Sequence, residues 1–427
     1  MDKHNIMTQQ DIHSYEIMAP VGSYESLAAA IEAGADSVYF GVGKLNMRSH
    51  SANHFDLADL RQIVATCSEH GIKTYLTVNT IIYDRDLATM REILDAAKAA
   101  GVSAIIASDV AVMSYCQRIG LEIHLSTQLN ISNVEALRFY AQFADVAVLA
   151  RELCMEQVKH IYEAINDPIH PILGPAGKPI RIEMFCHGAL CMAVSGKCYM
   201  SLMAQDRSAN RGECVQICRR SYLLTDRETG NAIEADHEYL MSPKDLKTIR
   251  FIGKMMQAGV RVFKIEGRAR GPEYVLNVVR CYKEAIQSVL DGTFTEEKKD
   301  EWDERLSTVF NRGFWDGYYQ GQKMGEWNKH YGSMATEQKV LVGQITNYFS
   351  RLGVAEAAIT ASTFQLGDKL LITGKTTGAQ YVTVEELHGD DGSPVSSAEQ
   401  GHRVAFAVPE KVRRGDKLFR IDRREVE

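Results

Sequence analysis

The sequence predicts an α/β fold in which eight parallel strands alternate with helices and close into a (β/α)8 barrel. Short runs rich in Val, Ile and Tyr alternate with longer runs whose apolar residues recur every three or four positions. Eight such strand–helix units are present, the count of a closed, TIM-like barrel. Gly34, Gly71, Gly101 and Gly120 each stand just before a strand, where helix C-caps belong.

In order, a strand at 16–20 precedes a helix at 23–33, with Ser23 or Ser26 as its cap. Residues 37–41 lead to 57–69, 73–79 to 87–100, and 103–108 to 110–118. Residues 122–127 lead to 133–143 and 146–150 to 155–165. The seventh strand, 181–185, runs into a cysteine-rich insertion, and the eighth, 261–265, leads to a helix at 273–290. An open doubly wound sheet is the alternative, but no Gly-x-Gly-x-x-Gly follows the first strand.

Beyond residue 338 the character changes. Short strands at 340–347, 353–361, 369–372, 381–387, 402–408 and 417–421, with turn signals at Gly367-Asp368 and Gly415-Asp416, predict a small C-terminal β-barrel domain. The organisation expected is a flexible N-terminus over 1–14, the barrel over 15–335 and the β-domain over 338–427.

The chain has 427 residues, 45% of them hydrophobic and 24% charged, as in a soluble globular protein of two or three domains. No apolar run approaches the roughly eighteen residues of a membrane span. The first fourteen residues are polar and lack a signal-peptide core, so a cytoplasmic protein with reduced thiols is expected. A net charge of −7 argues against non-specific coating of nucleic acid, and leaves room for a local basic patch that grips one RNA.

Five of the nine cysteines fall between Cys186 and Cys218. Cys67, Cys116, Cys154 and Cys281 are scattered through amphipathic segments and read as core residues. In the dense window six residues separate Cys191 from Cys198, fifteen Cys198 from Cys214, and three Cys214 from Cys218. Gly188, Gly196 and Gly212 stand beside them, which lets a loop turn tightly around a bound object. A disulfide framework does not suit a long chain without a secretory signal. Zinc and an iron–sulfur cluster both take four thiolates, and spacing alone leaves them on equal terms.

Active sites of such barrels collect at the C-terminal ends of the strands. Polar residues stand there: Asn46 and Arg48 beyond the second strand, Asn79 after the third, Asp109 after the fourth, and Gln128 and Asn130 after the fifth. Arg151 and Glu152 follow the sixth, His187 ends the seventh, and Glu266 and Arg268 close the eighth. For any one of them a helix cap or loop ion pair competes with a catalytic role. Lys264-Ile-Glu-Gly-Arg268 is different. Strand alternation turns Lys264, Glu266 and Arg268 to one side, and three inward charges are costly unless they pair or bind something. Glu183, near the end of the neighbouring seventh strand, faces this group. Glu183, His187, Lys264, Glu266 and Arg268 are therefore the candidate catalytic set.

The run Glu183-Met-Phe-Cys-His-Gly-Ala-Leu-Cys191, continuing through Gly196 and Cys198 to Met200-Ser201, resembles the signature of the family called peptidase U32. Lys264-Ile-Glu-Gly-Arg268 and Asn311-Arg-Gly-Phe314 resemble two further blocks of that family, in its order. Within the family the likeness is to the tRNA 5-hydroxyuridine proteins; related members act in rRNA cytidine hydroxylation and in ubiquinone hydroxylation. The resemblance implies a 4Fe–4S cluster whose ligands, by matching position, are Cys191, Cys198, Cys214 and Cys218, with Cys186 a spectator. It implies tRNA as substrate and prephenate, a dicarboxylate, as co-substrate. Arg48, Arg151 and Arg268 are its expected anchors, on residue type and place alone. An electron-transfer protein or a second family protein is the expected protein partner.

The family name itself implies another class, a collagenase-like peptidase. The sequence holds no Gly-x-Ser-x-Gly and no His-Glu-x-x-His, which leaves only Ser195 or His187 as candidates for such chemistry. The aromatic and glycine-rich run 310–321 reads equally as a base-stacking surface or as a loop that seals the barrel. Lys411, Arg413, Arg414, Arg420, Arg423 and Arg424 make the C-terminal tail basic, a candidate RNA contact.

Overall fold

In the computed structural model, residues 14–49, 55–235, 242–323, 325–328 and 332–425 are described. Of the N-terminus expected to be flexible, residues 1–13 lie outside that set. Eight strands form the barrel: β1 (Glu16–Pro20), β2 (Ser37–Phe40), β3 (Lys73–Val78), β4 (Ala104–Ala107), β5 (Glu122–Leu125), β6 (Val146–Val148), β7 (Arg181–Gly188) and β8 (Val260–Ile265). Each pairs in parallel with the next, and β8 pairs with both β7 and β1, which closes the ring.

Helices α1 (Tyr24–Glu32), α2 (Asp59–Glu69), α3 (Leu87–Ala100), α4 (Val110–Ile119), α5 (Val134–Ala141) and α6 (Met155–Ile165) follow the first six strands. After β7 comes the cysteine-rich insertion, then α7 (Ile252–Gln257), β8 and the long α8 (Pro272–Leu290). Ser23 caps α1 by accepting the Ser26 amide, as its position predicts. A further helix, Glu296–Ser307, has no counterpart in the sequence expectation. It buries only Trp302 and Leu306, too few apolar positions to show a helical period.

The outward side chains of the strands pack against the helices in one continuous core. Inside the ring, Met18, Tyr39, Tyr75, Ala104, Ile106, Val146 and Val262 form a separate apolar cluster. Barrels of this kind fill their lumen mainly with branched aliphatics. Here charged groups share it. Glu16 is buried at the base, where it accepts from Tyr75 Oη at 2.6 Å and from both Arg181 amino groups at 3.1 Å. Burial alone would raise its carboxyl. The Arg181 guanidinium, followed by Lys73 and His124, more than offsets that and brings it down to about 2.

The C-terminal residues, expected as a small β-barrel domain, form an antiparallel six-stranded sheet. Its strands are β9 (Glu337–Phe349), β10 (Val354–Ile359), β11 (Lys369–Gly374), β12 (Gly378–Thr383), β13 (Arg403–Ala407) and β14 (Lys417–Arg423), in the order β12-β11-β14-β9-β10-β13. Strand alternation divides its apolar residues between two cores. Leu370 and Ile372 point into the domain's own core with Val342, Phe406 and Leu418, whereas Leu371 and Ala379 join the core of the barrel helices.

Glu16 gives a test of the lumen. Its depressed pKa means that its contribution is complete above the ordinary carboxyl value of 4.5 and is lost as pH falls through about 2. Glu16→Gln is expected to lower neutral-pH stability by roughly 3 kcal/mol and to flatten the decline of stability across that acid window. Urea unfolding followed from neutral pH into acid reads both effects.

Candidate active site

At the C-terminal ends of the strands the barrel mouth and the insertion enclose a cavity of about 250 Å³. The strands supply Tyr39, Thr77, Phe185 and Lys264 to its wall, and the loops that follow them supply Arg48, Asn79, Ser126, Gln128, Arg151, Glu266 and Arg268. Insertion residues cover the other side: Leu190, Cys191, Ser195, Cys198, Cys214, Cys218 and Arg219. Where β7 gives way to the insertion, Gly188 has a φ of +104°, and a Cβ there would stand 2.3 Å from the Glu266 carbonyl oxygen. Gly212, at +83°, would bring one equally close to the Asn46 carbonyl oxygen. No side chain fits at either turn.

Lys264 ties the cavity to the lumen. Its Nζ donates to Glu183 Oε1 at 2.8 Å and lies 4.6 Å from the Tyr39 ring centre. Glu183 is fully buried below, with its other oxygen 3.3 Å from His124 Nδ1. Burial would raise the Glu183 carboxyl, but Lys264 and then His124 outweigh it and hold it below the usual value. Burial also works against a charged His124, and Glu122 and Glu183 overcome it, so that its pKa is raised. The His124 ring lies against Tyr75 with centroids 4.3 Å apart, which continues the chain down to Glu16.

Glu266 organises the rim. Arg48 donates to its Oε1 at 2.8 Å and Tyr39 Oη to its Oε2 at 3.1 Å. Against the cost of burial, Arg48 and then Arg268 bring its carboxyl down to about 2, so at neutral pH it is an acceptor and not a proton donor. Arg268 donates to Thr77 Oγ1 at 2.9 Å and leans on Asn46 Oδ1 at 3.5 Å. Arg151 donates to the Ala193 carbonyl at 3.1 Å. In both Arg151 and Arg268 the Nε is buried without a hydrogen-bond partner among the described residues.

The four cysteines expected to act together do share this cavity wall. Cys191 and Cys214 are exposed, Cys198 and Cys218 half-buried. Burial, against the opposing Arg219 guanidinium and with smaller help from the nearby Cys191, Cys214 and Cys198, pushes the Cys218 thiol up to about 11. Among the described residues no three His, Cys, Asp or Glu side chains are gathered as around one ion. Cys186 does not line the cavity; it is buried, with its thiol donating to the Lys264 carbonyl.

His187 is a correction. Between β7 and β8 the register steps from Lys264 opposite Phe185 to Ile265 opposite His187, a bulge that resets the alternation. His187 is therefore turned out of the cavity and packs with Tyr274, Tyr282 and Phe314, its Nδ1 3.3 Å from the Tyr282 hydroxyl. Burial and then Lys247 take its pKa to about 3, so it is neutral at physiological pH and cannot act on a ligand in the cavity. Glu183 also stops short of the wall and is linked to it by its bond with Lys264. Asp109 caps α4 through the Ala111 amide, and Asn130 donates to the Gln128 and Ser195 carbonyls. Tyr39 and Arg219 on the cavity wall, and His124 beneath it against Glu183, are site residues that sequence reasoning passed over. Inward parity was the available signal for Tyr39 and His124.

The run 310–321 packs as a seal that also gives one residue to the cavity. Phe314–Trp315 pairs with Asp245–Lys247, Tyr319 Oη donates to the Phe185 carbonyl at 3.0 Å, and Arg312 reaches the cavity wall.

The profile of peptidase family U32 matches residues 22–329. A Porphyromonas gingivalis protein named collagenase is 61% identical over 415 residues, covering 97% of this chain and 100% of that protein. The tRNA hydroxylation protein P1 of Bacillus subtilis is 30% identical over 406 residues, 93% of this chain and 92% of that one. An Escherichia coli 23S rRNA 5-hydroxycytidine synthase is 34% identical over 281 residues, 65% of this chain and 40% of that one.

The Glu183–Lys264 pair is testable in isolation. Lys264→Met leaves the Glu183 charge buried with only His124 to balance it, and is expected to destabilise the fold by about 3 kcal/mol. Adding Glu183→Leu is expected to recover a large part of that loss. Equal and additive losses in urea unfolding would contradict the coupling.

Proposed function

The chain belongs to peptidase family U32, and on that footing we propose that it is an iron–sulfur enzyme that hydroxylates RNA. Its expected target is position 5 of the tRNA wobble uridine, with prephenate as co-substrate. The names of the relatives that act on tRNA and on 23S rRNA support the class of reaction. The observation that carries it is the cavity wall, with four thiols from the insertion opposite a set of arginines at the barrel mouth.

The donor set suits a four-iron cluster better than one zinc. Zinc needs every sulfur within about 2.3 Å of a single point. A cluster takes each thiolate at a different corner, and so accepts thiols spread around a cavity. Cys191, Cys198, Cys214 and Cys218 would hold it, and when bound it supplies one-electron redox chemistry. The Nε donors of Arg151 and Arg268, with Arg48 beside them, suit a dicarboxylate ligand. Lys264 presents its amino group at the wall, and Glu183 and His124 set its position. Glu266 stays ionised and orients Arg48. A base can enter such a cavity only when it is out of the stack, as in a tRNA anticodon loop.

The name collagenase among the relatives sets the competing reading. Ser195 lines the cavity, but its Oγ contacts Thr127 at 3.5 Å, and no histidine among the described residues is on the wall. Among the described residues a serine or cysteine nucleophile there has no imidazole to activate it.

Nucleoside mass spectrometry on tRNA and rRNA from cells with and without the gene tests the proposal. Loss of 5-hydroxyuridine from tRNA, restored by wild type and not by Cys198→Ala, is expected. Unchanged nucleosides in both RNA pools, with collagen cleaved by the purified protein, would transfer the assignment to the peptidase reading. Purified without oxygen, the protein is expected to be brown with about four irons, and Cys191→Ala to be bleached.

A further inference from the structure

We propose that Arg219 is a positioning residue for the four-thiol site, clasping the insertion closed and supplying the positive charge that the thiolates require. The inference rests on the cluster reading of the proposed function. Arg219 directly follows Cys218, the last of the four. Its Nη2 donates to the Leu190 carbonyl at 2.8 Å, the residue just before Cys191. Its Nη1 donates to Ser242 Oγ at 3.1 Å and to the Pro243 carbonyl at 3.3 Å, where the chain returns to the barrel. One guanidinium thus joins the entry of the insertion, its final cysteine and its exit.

The insertion needs such a clasp because regular structure does little to hold it. Residues 189–199 contain no helix or strand. Beyond them stand the six-residue helix Met200–Gln205, two short 3₁₀ turns and the hairpin Tyr222–Thr225/Ala232–Ala235. Bringing Cys191 beside Cys218 therefore opposes loop entropy, and four thiolates repel one another. Arg219 answers both. The acceptors of its three hydrogen bonds are neutral oxygens, and among the described residues no carboxylate forms an ion pair with it. Its charge is left to the cavity wall it shares with Cys191 and Cys218. A lysine would keep that charge but lacks the planar fork that spans three acceptors.

Wild type, Arg219→Gln, Arg219→Lys and a control at the neighbouring residue, Arg220→Gln, are reconstituted without oxygen with iron and sulfide. Iron per chain, the rate of iron loss to a ferrous chelator and the midpoint potential are measured. Arg219→Gln is expected to lose iron about tenfold faster and to titrate at a more negative potential, because removing a nearby cation disfavours reduction. Arg219→Lys is expected to lose iron faster while its potential stays near that of wild type, and Arg220→Gln to match wild type throughout. An Arg219→Gln protein that retains iron and titrates as wild type overturns the proposal. So does an Arg220→Gln protein with the same defects. If Arg219→Gln does not fold, wild-type iron retention in Arg219→Lys overturns the clasp. Failure of wild type to take up a cluster, or its retention in Cys198→Ala, defeats the cluster reading and the clasp with it. That failure is distinguishable because it shows without any change at Arg219.

Discussion

Charges placed inside a barrel must be satisfied by one another, and in this protein that requirement runs the length of the lumen. Arg181 and Lys73 hold Glu16, Tyr75 bridges Glu16 to the His124 ring, His124 meets Glu183, and Glu183 holds Lys264 at the floor of the cavity. Replacing such a network by aliphatic residues would often leave a fold as stable or more so. What the network does provide is position. Lys264 stands where Glu183 puts it, and Glu183 is fixed in turn by His124. The contributions come from β1, β3, β5, β7 and β8, so the arrangement exists only when the ring is closed.

Above that floor the site is built from a different kind of material. The barrel presents arginines on loops that follow its strands, whereas the thiols come from an insertion with little regular structure. Two constraints keep the insertion against the mouth. Gly188 and Gly212 allow backbone to approach backbone with no side chain between, and Arg219 joins the ends. Arg211 adds a third fixing point, with a 2.7 Å ion pair to Asp86 on the loop after β3. The aromatic run 310–321 closes the flank beside β7. The C-terminal domain meets the helices α1 and α8 and sends no residue to the cavity wall. No helix among the described residues is long and apolar enough to cross a membrane.

The two functional names found among the relatives ask for different chemistry from one cavity. A hydrolase would need a nucleophile with a base in reach, and among the described residues the two nearby histidines are both out of place for it. His124 lies below the floor, bound by carboxylates on both sides, and His187 is packed outside the barrel. Thiols and guanidiniums, which do line the cavity, favour a bound cluster and an anionic ligand.

Much of this was legible in the chain before folding. Eight short apolar runs alternating with runs of helical period determined the barrel, and inward parity determined that Lys264 would share a side with Glu266 and meet Glu183. The cysteine spacing marked the insertion. Tertiary structure alone decided the rest. It turned His187 outward, because a single bulge resets the alternation and leaves no mark in composition. It recruited His124 and Tyr39, each unremarkable within its own strand, into one column. It also set Arg219 across a loop from Leu190. Local periodicity states which side of a strand a residue faces; which distant residue it then meets is decided only by closure of the ring and the path of the loops.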